Sequence, residues 1–362
     1  MTDLDVQPAP VVRTRLSQRS LTLLVSGALT LVLGAIIGLL PAPYAIYAPG
    51  PVRNVLGELG DKKLIKIEGA PTYQPSGRLD MTTIEIFGGP GRRLSLPQVL
   101  SAWLSRSQAV LPQDEVFPPG QTAEEAESED AALMSESQQS ATAAGLREVG
   151  LKVPETVTIS EVNPEAPAAK VLRPKDVITG VNGVPTADSA ALRAAISALA
   201  PGAAVTLEVR RGGTTRTERT TTIGQDGRTL LGVGLDPTFR FPVDVTFATR
   251  EVGGPSAGLM FALGIYDLMT PGDLTGGEQI AGTGTIDPAG TVGRIGGIAQ
   301  KMTGAREAGA RWFLAPEANC NAVVGNVPEG LRVVRTTTLH QARTAVEAIA
   351  KGEGSSLPTC QG

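Results

Sequence analysis

Histidine occurs once in these 362 residues and cysteine twice, so the chain is poor in the usual ligands of transition metals. One imidazole and two thiols do not make a four-ligand zinc site of the common kinds, and no metal is expected. No Lys- or Arg-rich block occurs, and 32 basic against 36 acidic residues give a net charge of -4, which excludes a strong electrostatic footprint for nucleic acid. No Gly-x4-Gly-Lys-Ser/Thr phosphate loop is present, and a dinucleotide frame begun at Gly282 fails where Asp287 takes the last glycine position. Neither a nucleotide nor any other cofactor is expected.

What the chain does hold is one long apolar run. Leu21 to Leu40 carries no charge over 20 residues, enough to cross a hydrocarbon core of about 30 Å as a helix. A cleaved signal would show an apolar region of about 7 to 15 residues and a small-x-small site; here the run is longer and Pro41-Ala42-Pro43-Tyr44 follows. Arg13, Arg15 and Arg19 precede the run and the next basic residue is Arg53, so the positive-inside rule leaves residues 1–20 as a short cytoplasmic tail and everything beyond Pro41 outside. Tyr44 and Tyr47 suit the interface. In that compartment thiols oxidise, and a Cys320 to Cys360 disulfide is expected, with two separate buried thiols as the alternative.

The length exceeds the roughly 100 to 200 residues of one domain, so two folded units beside the anchor are expected. Residues 41–144 read as a β-rich region, with strands at Lys63–Ile67 and Met81–Phe87, closed by an acidic helix. Thr122 and Glu125 form a capping-box pattern that opens this helix, whose charge reads as a solvated face. Residues 145–225 read as strand (Thr156–Val162), strand (Asp176–Val181), helix (Ser189–Leu199), strand (Ala204–Arg210) and a Thr-rich strand. The run Arg173 to Gly183, with Ala166-Pro-Ala-Ala169 before it, resembles a PDZ domain. Such domains bind an extended peptide beside a sheet edge. Lys175 stands where that family usually has Gly, and no Gly-Leu-Gly-Phe loop occurs near Gly150-Leu151.

Residues 226–352 are rich in glycine, and 353–362 read as a tail. Gly254-Pro-Ser-Ala-Gly258 precedes the apolar run Leu259 to Leu263, which suggests a helix beginning at or near Ser256 with free N–H groups in its first turn. A helix start favours developing negative charge. Gly253, Gly254 and Pro255 then border an oxyanion site. A serine nucleophile needs a base, and beside His340 the chain offers Lys301, 45 positions later, at the start of a helix ending near Gly309. To work near neutrality its pKa must fall from about 10.4 to about 7, roughly 4 kcal/mol of differential interaction that desolvation can supply. Val292, Ile295, Ile298 and Met302 are candidates for the apolar surroundings.

Taken in order, Gly253-Gly-Pro-Ser-Ala-Gly258, Ile280-Ala-Gly-Thr-Gly-Thr-Ile286, Gly293-Arg-Ile-Gly-Gly-Ile-Ala-Gln-Lys301 and Pro316-Glu-Ala-Asn319 resemble the blocks of a Lon-type proteolytic domain. With the anchor and the PDZ-like module, the order resembles the YlbL group of bacterial PDZ-containing, Lon-like proteases. The resemblance implies an α+β fold: a transmembrane helix, then a PDZ-like β module inserted before a Lon-type α+β proteolytic domain. It implies Ser256 as nucleophile, Lys301 as general base, Thr283 as the hydroxyl that orients the lysine, and Asn319 as structural support. Gly253 replaces the family's usual Asp, and Ala299 the first Lys of its Lys-x-Lys. The expected activity is an ATP-independent serine endopeptidase acting outside the cytoplasm on unstructured or PDZ-recruited peptides and proteins. Peptide substrates and the membrane are the expected partners, and homo-oligomer formation is compatible with the reading. Two rivals stand beside it. Gly254-Pro-Ser-Ala-Gly258 also fits a nucleophile elbow, with Asp273 or Asp287 and His340 completing an α/β-hydrolase-like serine esterase. The other rival is an inactive membrane-bound PDZ adaptor.

Overall fold

The computed structural model describes residues 17–249 and 252–361. Most of the expected cytoplasmic tail, with Arg13 and Arg15, lies outside the described residues. The first element, α1 (Gln18–Leu39), opens at Ser17, whose Oγ accepts from the Ser20 N–H. It is long and apolar enough to cross a membrane and packs almost none of its surface against the rest of the chain. After it come β1 (Tyr44–Asn54), β2 (Ile65–Glu68), β3 (Arg78–Phe87), α2 (Leu96–Leu104), β4 (Ala109–Pro112) and the long α3 (Ala123–Glu148). The capping box forms as expected: Glu125 N–H donates to Thr122 Oγ1 and Thr122 N–H to the Glu125 carboxylate.

A second group of strands is nearly contiguous in sequence: β5 (Glu155–Val162), β6 (Val177–Val181), α4 (Ser189–Ser197), β7 (Ala204–Arg211), β8 (Thr214–Thr221) and β9 (Val233–Phe239). They form an antiparallel sheet in the order β8-β7-β6-β5-β9, so this sheet takes its edge strand from beyond residue 225. Its own core gathers Val157, Ile159, Leu192, Ile196 and Leu207. Lys175 adopts φ of +73°, a left-handed conformation that glycine takes without steric cost, which explains the usual residue at that turn. The buried Asp176 carboxylate then accepts two hydrogen bonds of 2.7 Å from the Arg211 guanidinium.

The remaining elements are β10 (Asp244–Phe247), α5 (Gly258–Met269), β11 (Gln279–Gly282), α6 (Ile298–Glu307), β12 (Trp312–Pro316), β13 (Arg332–Thr336) and α7 (Leu339–Ala350). Their sheet runs β13-β12-β11-β3-β1-β4. The first four strands are parallel and the last two antiparallel. Half of this sheet therefore comes from residues 44–112, which sequence reading set apart as a separate β-rich region. The fold is mixed α+β throughout. α5 is buried on every side from Gly258 to Ile265, because α3, α7 and the sheet enclose it. Cys320 and Cys360 are joined as a disulfide that ties the C-terminal segment to the end of β12.

Candidate active site

The turn before α5 is where the chemistry gathers. Gly254 has φ of +78°, so the chain reverses there without a side-chain clash, and Ser256 follows in the turn rather than in the helix, which starts two residues later than the sequence suggests. Pro255 has no N–H, and that of Gly254 donates to the Asp130 carbonyl at 3.0 Å. Among the described residues the N–H groups of Gly253, Ser256 and Ala257 meet no acceptor.

Lys301 reaches Ser256 from the far side. It lies in the first turns of α6, which begins at Ile298, three residues earlier than expected. Gly297, in a left-handed conformation with φ of +65°, sets the entry, and a Cβ there would strike Ile84 at 2.8 Å. Lys301 Nζ lies 2.6 Å from Ser256 Oγ and 3.2 Å from Thr283 Oγ1. Thr283 is itself fixed: its Oγ1 donates to the Ser256 carbonyl at 2.9 Å and its N–H to the Leu314 carbonyl at 3.1 Å. The Gly284 N–H donates to the same Ser256 carbonyl at 2.9 Å. Thus β11 delivers a clamp that holds serine and lysine together.

Only 3% of Lys301 is exposed, and Val292, Ile295, Ile298 and Met302 are buried as well. Burial penalises the ammonium and lowers its pKa from 10.5 to about 7. That is about 5 kcal/mol against the charged form, enough to leave roughly half of the amines neutral at pH 7. Asn319 stabilises the approach to α6: its side chain donates to the Ile295 carbonyl at 2.8 Å and accepts from the Ile295 N–H at 3.0 Å.

Sequence reading missed the residues of α3. That helix was read as a solvated acidic face, yet Ser137 Oγ donates to the Pro255 carbonyl at 2.9 Å and Gln138 Nε2 to Thr249 Oγ1 at 2.6 Å. Asp130 stands so close to Gly253 that a Cβ there would meet the Asp130 Cβ at 2.8 Å. Partial burial raises the Asp130 pKa, with Glu129 adding to the effect. The correction has a physical reason: half of this helix packs on α5, so polar residues at its margin meet the loop instead of water.

His340 is not drawn into the site. Its ring is 69% exposed and its Nδ1 lies 3.0 Å from Glu148 Oε1, with Arg343 beside both. Asp287 accepts from the N–H groups of Ala289 and Thr291, and Asp273 contacts Ser76 and Thr275. A Ser-His-Asp relay needs contacts absent among the described residues.

A second concave surface, a cleft of about 880 Å³, lies between α4 and the edge strand β9, floored by Leu192, Ile196, Val233 and Leu235. Its mouth is Leu231-Gly232, with Gly232 at φ of +74° and Arg193 and Arg228 nearby. Another cleft, of about 1150 Å³ along β2 and β10, does not include Ser256.

Comparison with known proteins matches two family models along the chain. Residues 127–222 match the PDZ domain family model, and residues 247–351 match the Lon protease (S16) C-terminal proteolytic domain. Lon protease 2 of Syntrophobacter fumaroxidans is 32% identical over 107 residues, 30% of this chain and 13% of that protein. Lon protease 1 of Herpetosiphon aurantiacus is 30% identical over 130 residues, 34% and 16% of the two chains. Lon protease 2 of Bacillus subtilis is 32% identical over 115 residues, 31% and 20%. The chain thus matches no more than a fifth of the length of these relatives. Among solved structures, the PDZ domain of the SdrC-like protein of Listeria monocytogenes is 23% identical, covering 22% of this chain and 85% of that one with a TM-score of 0.21. The corresponding domain from Listeria innocua is 22% identical, covering 22% and 92%, with a TM-score of 0.21.

Proposed function

We propose that this chain, which joins a PDZ module to a Lon-type proteolytic domain, is a membrane-anchored serine endopeptidase working through Ser256 and Lys301 without ATP. The observation that carries the reading is the 2.6 Å approach of a desolvated amine to a hydroxyl at the head of a buried helix. The neutral Nζ takes the Ser256 proton as Oγ attacks the scissile carbonyl. The resulting ammonium then protonates the leaving amine, and a water repeats the cycle on the acyl-enzyme. Thr283 keeps the lysine aimed at Oγ, while the amides of Gly253, Ser256 and Ala257 receive the oxyanion. Nothing in this sequence of steps calls on a metal or nucleotide.

The substrate class follows from the cleft beside β9 and from the serine and lysine pair. An extended peptide adds to the free edge of β9 with an apolar side chain between Leu192 and Ile196, and Arg193 or Arg228 faces its carboxylate. The serine then cuts unstructured segments that need no unfolding motor. We divide the chain accordingly: anchor 21–40, β-rich region with acidic helix 41–144, PDZ-like domain 145–225, proteolytic domain 226–352 and tail 353–362, with the strands of 44–112 and β9 crossing these lines in space. The length and apolarity of α1, the arginines before it and the joined Cys320 and Cys360 support a catalytic part outside the cytoplasm.

The test is the full chain in detergent with an unfolded protein and no ATP. Cleavage is expected with the native chain and with His340→Ala, and none with Ser256→Ala. Activity that survives Ser256→Ala discards the reading; activity lost with His340→Ala favours the triad.

A further inference from the structure

Helix α2 has two apolar faces, and the fold covers only one. Val99 and Ala102 are buried in a small core with Ala42, Ile46 and Leu94. Leu100, Trp103 and Leu104 are spaced to share the stripe adjoining this buried one, and they are 50%, 74% and 81% exposed. An exposed tryptophan and two leucines on nine residues of helix are a surface that expects a cover.

The position of α2 says what the cover is. α1 ends at Leu39, and Pro41–Ala42 pairs at once with Leu94–Ser95, the two residues that lead into α2. A Cβ on Gly38 would lie 4.0 Å from Pro97 Cγ, so the last turn of α1 adjoins the first turn of α2. The 22 residues of α1 rise about 33 Å, close to the thickness of a hydrocarbon core of about 30 Å, so α2 stands at the level where headgroups begin. Tryptophan favours that depth. Residues 86–113 contain Arg92, Arg93 and Arg106 and no acidic residue, in a chain whose net charge is -4. These arginines are exposed on either side of α2.

We propose that the outer face of α2 lies in the headgroup layer of an anionic phospholipid bilayer, the one that α1 crosses, and so holds the folded part of the chain against the membrane surface. The basic flanks suit phospholipid headgroups. They would repel the same flanks on a second copy, the other cover open to an apolar helix face.

The inference rests on α1 spanning a bilayer. The full chain is therefore reconstituted in phosphatidylcholine vesicles with and without phosphatidylglycerol, and flotation after an alkaline wash reports on α1 alone. Trp103 emission is taken as the difference between the native chain and Trp103→Phe, an exposed substitution that leaves the core untouched. Lipids brominated on their acyl chains are expected to remove most of that difference signal, and aqueous acrylamide to leave it. Phosphatidylglycerol is expected to deepen the quenching, an effect erased when Arg92, Arg93 and Arg106 are all changed to Gln. A chain that floats while Trp103 is quenched by acrylamide and not by bromolipid overturns the proposal. A Trp103 shielded from both overturns it too and assigns the face to a second copy. A chain that does not float overturns the reading of α1 and with it the proposal.

Discussion

A buried ionisable group pushed toward its neutral form stands at each end of α5, Lys301 reaching the head from α6 and Asp267 lying on the last turns of α5 itself, and the two differ in what faces them. At the head, Lys301 is desolvated to a pKa of about 7 and meets two hydroxyls. At the foot, Asp267 is 1% exposed, and burial raises its pKa to about 6, with Asp273 adding to this and the Leu274 N–H opposing it. Its Oδ1 accepts that N–H at 3.1 Å, while among the described residues its Oδ2 has no hydrogen-bond partner. The same desolvation that would arm the proposed base beside Ser256 is, at the other end, a cost to the fold. A shifted pKa marks burial; a hydroxyl within reach makes it a site.

The sharpest way to break this comparison is to remove each group in turn. Lys301→Met is expected to lower kcat by at least about 10³-fold, with the fold intact by circular dichroism. Asp267→Asn is expected to leave kcat within about twofold, the bound expected of a site the chemistry does not use. A kcat that falls equally with both substitutions would erase the distinction.

Next in size is stability. Asp267 has a folded pKa above its unfolded one, so the folded state holds its proton longer, and stability falls as pH rises from about 4 to about 6. Asn keeps the carbonyl that accepts from Leu274, so Asp267→Asn is expected to raise unfolding stability at pH 7 by up to about 3 kcal/mol. Urea titrations at pH 4.5 and 7 check it, with a smaller gain at the lower pH; equal gains would contradict the assignment. Lys301 has the opposite sign: its folded pKa is depressed, so stability rises with pH between about 7 and about 10.

A smaller effect per step concerns activity. If Lys301 acts neutral, kcat/KM is expected to fall about tenfold for each pH unit below about 7 and to level off above it. Thr283→Val should move that midpoint, whereas Asp267→Asn should not. A profile without an acidic limb near 7 would detach the amine from the chemistry. The smallest predicted effect lies on α3: Ser137→Ala, which frees the Pro255 carbonyl, is expected to cost about 1 kcal/mol of stability and to lower kcat more than it raises KM. A change in KM alone would make Ser137 a substrate contact instead.

Much of this was legible in the residues. Thr122 and Glu125 announced their capping box, the Thr-rich run Thr214–Thr221 its strand, and Leu21 to Leu40 its helix, because each signal is local. The grip of Ser137 on Pro255, 118 positions away, carried no such signal, since serine on an acidic helix reads the same whether it meets water or a loop. Nor did the adjacency of β3 to β11, which brings residues 78–81 beside 279–282 and completes the sheet under the site.

By itself the sequence determined which groups are on hand: a serine among small residues, a lysine on a helix, a threonine after a strand, and a span ahead of them. Tertiary structure alone decided that they meet, and that burial lowers the pKa of the lysine to about 7. A pKa belongs to the surroundings of a group and not to its residue type, and the surroundings of Lys301 are assembled from strands and helices far apart in the chain.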